Sequence, residues 1–175
     1  NLTFDHTRPK NFRYPLWTAF TNNYLFEECK RRKNGIITVP KRNKFCSFIS
    51  NGEYKTTWRK EIVEKLSKYK RVDCGGRFLN NIGYTVPRGT SCSGKIEHNL
   101  NYKFAIAFEN EDHPGYVTEK ICDVYKSNCI PIYAGNREVA NDFNPSTFIN
   151  ANDFPTLDEL VEYVIKVDND DELYI

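Results

Sequence analysis

The stretch KFAIAFENEDHPGYVTEKICDVYKSNCIPIYAG, residues 103–135, decides the fold. Lys103–Phe108 is a short apolar run of strand length, bounded by polar residues and suited to burial on both faces. Glu109 and Asn110 follow, and a loop with Pro114-Gly115 turns the chain. Over residues 117–127 the apolar positions change period: Val117, Ile121, Val124 and Tyr125 recur at helical spacing. Cys129–Tyr133 is a second apolar run with a tight exit at Ala134-Gly135. Strand, helix, strand in that order implies a right-handed crossover and two parallel strands.

The same alternation extends outward. Upstream, Ile36–Val39 and Phe45–Ser50 read as strands, the second stopped by Asn51-Gly52. Trp58, Ile62, Leu66 and Tyr69 give residues 55–69 a helical stripe, with Trp58 expected to pack that helix onto the sheet. Lys70–Cys74 is a candidate strand ended by Gly75-Gly76, and residues 77–101 read mostly as loop. Downstream, a short helix is expected over 137–142 and a short strand at Phe148–Asn150. Thr156 with Glu159 three residues on is a capping box. It opens a helix whose stripe is Leu157, Leu160, Val161, Val164 and Ile165. Residues 1–35 look irregular, broken by Pro9 and Pro15. The fold class is therefore α/β, a mainly parallel sheet flanked by helices, with ligands expected beyond the carboxyl ends of the strands.

Composition bounds the rest. The chain has 175 residues, 39% hydrophobic and 27% charged, which suits one globular domain. No apolar run approaches the roughly 20 residues that span a bilayer, and the polar opening Asn1–Lys10 is unlike a signal peptide. Met is absent, so a processed product or a fragment is expected. Net charge is +2. The basic runs at Lys30–Lys33 and Lys41-Arg42 read as a solvated loop, or as a lip toward an anionic ligand or membrane, and no nucleic-acid motif accompanies them. Six cysteines without C-x-x-C spacing argue against zinc. Reduced, buried thiols are expected, with Cys46 and Cys129 inside strands. Asn1-Leu2-Thr3 is a lone glycosylation sequon, while Asn144-Pro145-Ser146 is excluded by its proline.

The densest chemistry follows Phe108. Thr118, Glu119 and Lys120 open a helix, whose first turn offers free N–H groups and suits a phosphate. Lys120 opposes the helix dipole there, which makes sense if an anion sits beside it. The plain alternative is ordinary surface charge at a helix start.

AFENEDHPGYVTEKICDVY closely resembles the signature of the α1,3/4-fucosyltransferases, glycosyltransferase family 10. The likeness continues through CIPIYAGN and DFNPSTFINANDF, and upstream through KFCSFISN, the helix with Arg59 and Leu66, VDCGGRFLNNIGY and FRYPLW. It covers almost the whole chain. The resemblance implies a GT-B enzyme of two Rossmann-like domains, with this chain its donor half. Residues 1–35 would be the interdomain segment and 36–175 the GDP-fucose-binding domain. It implies inverting transfer from GDP-β-L-fucose to an N-acetylglucosamine- or glucose-containing acceptor, giving an α1,3 or α1,4 fucoside.

By resemblance, Arg59 and Lys120 should neutralise the leaving diphosphate and Glu119 should contact fucose hydroxyls. Asn110 and Tyr116 should line the ribose and guanosine part, beside Thr118; Glu109 is expected to be structural or to touch the base. Arg59 could otherwise lie on a solvated helix face, and Tyr116 could simply pack the loop. His113 is expected to be exposed; His6 and His98 carry no supporting partners. The family's general base lies upstream of the R-Y-P-L-W segment, so none is assigned in this chain. No cofactor or metal is required: the D-x-D at Asp168-Asn169-Asp170 is expected to be a solvated tail. Partners would be GDP-fucose and a glycan acceptor, with peripheral membrane association of the full-length protein. Localisation would be cytoplasmic or membrane-peripheral, or the Golgi lumen in a eukaryote. The competing readings are a non-catalytic nucleotide-sugar-binding module and an unrelated α/β interaction domain.

Overall fold

The structure, a computed structural model, describes residues 2–5, 7–19, 42–54, 58–89 and 92–174. The expected strand at 36–39, Cys29, the basic run at 30–33 and His6 lie outside them. Among the described residues the centre is a five-stranded sheet, parallel at every pairing, built from β3 (Lys44–Phe48), β4 (Val72–Cys74), β5 (Tyr102–Phe108), β6 (Ile130–Ala134) and β7 (Ile149–Asn150) in spatial order β4-β3-β5-β6-β7. Cys46 faces Phe104 across β3 and β5, and Phe104 faces Ile130 across β5 and β6, so the apolar runs stack at mid-sheet. Pro131 lies near the start of β6, before the stretch paired with β7, where a missing N–H is tolerated.

Two layers of helices cover the sheet. On one face, α1 (Trp58–Ser67) and α4 (Leu157–Asn169) pack Ile62, Leu66, Leu160 and Val164 against Cys46, Phe104 and Ile132, and the short α5 (Asp171–Tyr174) adds Tyr174. On the other, α2 (Ser93–Asn99) and α3 (Glu119–Lys126) flank the sheet, with Val117, Ile121 and Val124 clustered with Ala105, Ala107 and Tyr133. The small residues of β5 on that face let α3 come close. At the N-cap of α4, Thr156 Oγ1 accepts from Glu159 N at 3.2 Å, the N-cap half of the capping box, and donates to Glu159 Oε1 at 3.0 Å.

Several expectations need correction. Residues 77–101 contain α2, which its seven residues and its Gly94, His98 and Asn99 hid from any periodic reading. The helix expected at 137–142 is a single 3-10 turn, Val139–Asn141. The opening segment holds a parallel pair, β1 (Leu2–Thr3) with β2 (Phe12–Arg13), and a 3-10 turn at Leu16–Ala19. It folds back on the domain: Arg13 forks onto both oxygens of Asp142, and Trp17 packs on Phe143 at 5.1 Å between ring centroids. Asp168 is no solvated tail residue. It is buried, ion-paired with Lys70 at 2.6 Å and Lys103 at 2.9 Å, and bonded by Tyr69. His98 has a neighbour after all, stacked on Tyr102 at 5.0 Å. The described cysteines (Cys46, Cys74, Cys92, Cys122 and Cys129) are all free and buried. Among the described residues no helix is long and apolar enough to cross a membrane.

Candidate functional site

β5 carries its chain straight into the site. Its buried run fixes the backbone of Phe108, and the next residue, Glu109, donates its N–H to Ala134 O at 2.7 Å, prolonging the sheet. The Glu109 side chain is fully buried. Its carboxylate accepts from Thr118 N at 2.7 Å, from Thr118 Oγ1 at 2.7 and 3.0 Å, and from Lys120 Nζ at 2.7 Å. Thr118 holds the N-cap position of α3, yet its hydroxyl makes no cap bond and serves Glu109 instead. The anion that Lys120 faces inside the protein is therefore Glu109. This sets the ammonium at the first turn of α3, with the Lys120 side chain 22% exposed.

Arg59, in the first turn of α1, is 1% exposed, so the solvated-face alternative does not hold. Its Nη2 donates to Phe108 O at 2.6 Å, Glu109 O at 2.8 Å and Asn110 Oδ1 at 3.0 Å. Its Nη1 donates to Ser50 Oγ at 3.1 Å and Gly52 O at 3.4 Å, and the Tyr54 ring lies 4.7 Å away. One guanidinium thus ties together the carboxyl ends of β3 and β5. Burial lowers its pKa, but arginine stays charged. Close backbone approach completes the corner: a Cβ on Gly76 would stand 1.9 Å from Ser50 O.

Arg59, Asn110, Glu119 and Lys120 line one cleft of about 430 Å³ at the carboxyl edge of the sheet. Arg77, Arg88 and Lys95 line it too, so five cations face a space also bordered by Glu119 and Asp123. The cleft runs down over Ser47 and Ala105, beneath α2 and α3. Three expected residues, Tyr116, Glu109 and Thr118, are not among its lining. Tyr116 leans on Phe4, 5.7 Å between centroids, and burial raises its phenol pKa. Glu109 with Thr118 forms the floor beneath Lys120. Glu109 also borders a smaller cavity of about 100 Å³ shared with Trp58, Glu111, Asp112, Gly135 and Asn152. Trp58 stands 42% exposed at that cavity, not packed onto the sheet as expected. His113 is exposed, as expected. Among the described residues no group of three or more His, Cys, Asp or Glu is placed to hold a metal ion.

Arg77, Arg88, Lys95, Ser47, Asn99 and Asp123 went unread in the sequence. The first three lie in the stretch taken for loop. Asp123 had a signal, since it follows Glu119 by four residues and so shares its helix face.

The model of the glycosyltransferase family 10 (fucosyltransferase) C-terminal region matches residues 38–175. The chain belongs to this family. It is 39% identical over 125 residues to an α-(1,3)-fucosyltransferase of Helicobacter pylori, covering 71% of this chain and 25% of that protein. It is 32% identical to a putative fucosyltransferase of Acanthamoeba polyphaga mimivirus, covering 93% of this chain and 28% of that one. A crystal structure of an α1,3-fucosyltransferase with GDP-fucose superposes with a TM-score of 0.78 at 28% identity, covering 99% of this chain and 58% of the other. The same enzyme class without ligand in its description gives 0.77 at 30% identity. The parallel sheet flanked by helices is thus that of solved family 10 structures. The chain spans between a quarter and about half of the curated relatives it matches.

Proposed function

We propose that this family 10 chain is the donor-binding part of an α1,3-fucosyltransferase and that the 430 Å³ cleft holds GDP-fucose. The observation that carries the reading is the convergence of Arg59 and Lys120, from different helices, on one cleft with three further cations. Breaking the bond between the fucose anomeric carbon and phosphate oxygen leaves negative charge on the diphosphate. Lys120 Nζ, the first N–H groups of α3 and the arginines around the mouth are oriented donors for that charge. Arg59 acts on the same place by fixing the carbonyls and Asn110 around it. These cations can supply the neutralisation that a divalent metal supplies elsewhere.

Glu119, half-buried in the same turn, lines the cleft and is suited to accept hydrogen bonds from sugar hydroxyls and to stabilise positive charge developing on the ring. Attack by an acceptor hydroxyl from the opposite face would invert the anomeric centre. The acceptor is an N-acetylglucosamine- or glucose-containing glycan in this proposal, and the base that takes its proton lies outside this chain. Residues 36–175 are the donor domain and the opening segment leads toward an acceptor-holding part.

Calorimetric titration of the chain with GDP tests the reading. Binding is expected, and Lys120→Ala is expected to weaken it on the order of 10-fold or more, as for loss of a charge-assisted hydrogen bond. Wild-type affinity in Lys120→Ala, or no binding of GDP by the wild type, would overturn it.

A further inference from the structure

Phe4 follows β1 and belongs to neither core layer of the domain. Its ring stands edge-on to two rings of one loop. Its centroid lies 5.7 Å from that of His113 at an interplanar angle of 82°, and 5.7 Å from that of Tyr116 at 71°. Both are favourable edge-to-face arrangements. His113 and Tyr116 are the two ends of a single turn, in which Tyr116 N donates to His113 O at 2.9 Å across Pro114 and Gly115. Gly115 has φ 78, as the third position of a type II turn requires. One phenylalanine of the opening segment thus spans both ends of that turn.

The turn leads straight to the cationic cleft. Val117 is fully buried, Thr118 Oγ1 donates to Glu109 at 2.7 Å, and Lys120 follows in the first turn of α3. Where Tyr116 sits therefore sets how the chain enters α3. Burial raises the Tyr116 phenol pKa, Lys120 opposes that, and Glu109, Glu119 and Glu111 add to it, so the hydroxyl end stands among the charges of the site. One tie of the turn to the domain is Gly115 N donating to the buried Asn136 Oδ1 at 3.2 Å, at the long end of the usual range. Phe4, in contrast, is firmly braced. Thr3 O accepts from Tyr14 N at 2.7 Å, Asp5 O accepts from Asn11 Nδ2 at 3.1 Å, and Arg13 forks onto Asp142.

We propose that Phe4 is a positioning residue of the donor site: it backs Tyr116 and keeps the turn, and with it the entry to α3, in the arrangement that presents Lys120 to the cleft. This rests on the cleft being a nucleotide-sugar site. It adds a coupling to that reading, since the opening segment and the nucleotide favour the same arrangement of residues 113–120. Phe4 does not line the cleft, so its effect reaches the ligand through Tyr116.

Calorimetric titration of the 175-residue chain with GDP tests it. A contact shifts binding by no more than its own free energy. Phe4→Ala is therefore expected to weaken GDP binding on the order of 3–10-fold, the scale of an edge-to-face pair. The double variant Phe4→Ala with Tyr116→Ala is expected to bind no more weakly than Tyr116→Ala alone, because the two residues act as one unit. Leu2→Ala, at a position 71% exposed on β1, is expected to bind like the wild type. Reciprocity requires GDP to strengthen the docking of the segment by a similar factor. Hydrogen exchange at the Tyr14 N–H of the wild type is thus expected to slow on adding GDP, a readout that needs no variant to fold. Unchanged GDP affinity in Phe4→Ala would overturn the proposal, as would additive losses in the double variant, an equal loss in Leu2→Ala, or Tyr14 exchange indifferent to GDP. Those results leave the cleft reading standing. If GDP does not bind the wild type, that reading falls and this inference with it.

Discussion

Asp123 and Asp168 show how differently a buried carboxylate can be held. Burial raises the Asp123 pKa to about 6, with Glu119 adding repulsion and Lys95, Lys126 and a bond from Cys92 opposing. Asp168 would also be raised by burial, but bonds from Lys70, Lys103 and Tyr69 outweigh that and hold it below its usual value. The signs of their pH dependence are therefore opposite. Between pH 3.8 and about 6 the folded state keeps the Asp123 proton and the unfolded state releases it. Stability from this group is thus full near pH 4 and lost as pH rises through about 6. Asp123→Asn has no such dependence. Thermal melts without ligand should show the variant and wild type equal below about pH 4, with the variant gaining above pH 6 by an amount on the order of 3 kcal/mol. A gap that does not vary with pH would refute the assignment. Asp168 contributes stability above its unfolded value, and that contribution is lost as pH falls through its lowered pKa. Nothing in the composition distinguishes the two: both stand among lysines in the sequence. Only the tertiary structure brings Lys70 and Lys103 onto Asp168 while leaving Asp123 with a bare oxygen. The residues by which the site was recognised, Arg59, Glu119 and Lys120, were legible through their motif. The floor beneath Lys120 was not, because Glu109 reads as an ordinary strand end until Thr118 and Lys120 fold back over it.

At the scale of elements, the long or strongly patterned ones were legible and the short ones were not. The β5 run and the stripes of α1, α3 and α4 carry their burial in their spacing. β1, β2 and β7 have two residues each, too few for any period. The α4 cap was readable because a capping box is local, and its value can be measured. Thr156→Ala should lower unfolding free energy in urea by about 1 kcal/mol, within the usual range for a lost N-cap. The exit of β6 is less forgiving. Gly135 has φ 154, and a Cβ there would meet Glu109 Cγ at 2.7 Å. Gly135→Ala should therefore cost about 1–3 kcal/mol from backbone strain and push Glu109 off Lys120. The expected outcome is a lower melting temperature together with weakened GDP binding. A stable variant with normal GDP affinity would mean that the Glu109–Lys120 pair does not set the donor site.

For the whole molecule, the opening segment matters most. Arg13 on Asp142 and Trp17 on Phe143 hold residues 12–17 against the domain, and Leu16 and Trp17 are half-buried there. The 175 residues should therefore bind nucleotide unaided, and at 100-fold ligand excess over Kd gain about 2.7 kcal/mol of stability. Fucose transfer is another matter. A positioned base contributes typically 10²–10⁴-fold, and in this reading it lies in the part of the protein that holds the acceptor. Assayed with GDP-fucose and N-acetyllactosamine beside a version extended toward the length of its relatives, the 175-residue chain should bind GDP comparably and transfer hardly at all. Equal turnover would place the base within these residues. The buried thiols offer a different use of the same architecture. Cys46 and Cys74 lie in the layer under α1 and α4; Cys122, on α3 itself, and Cys129 lie in the layer on the other face. Burial raises all four, Cys74 to about 11 and Cys122 and Cys129 to about 12, so a closed domain presents no thiolate to an alkylating reagent. Their labelling rates become clocks for transient opening, one pair for each side of the sheet. Site-resolved mass spectrometry would then reveal whether the two layers breathe together or apart.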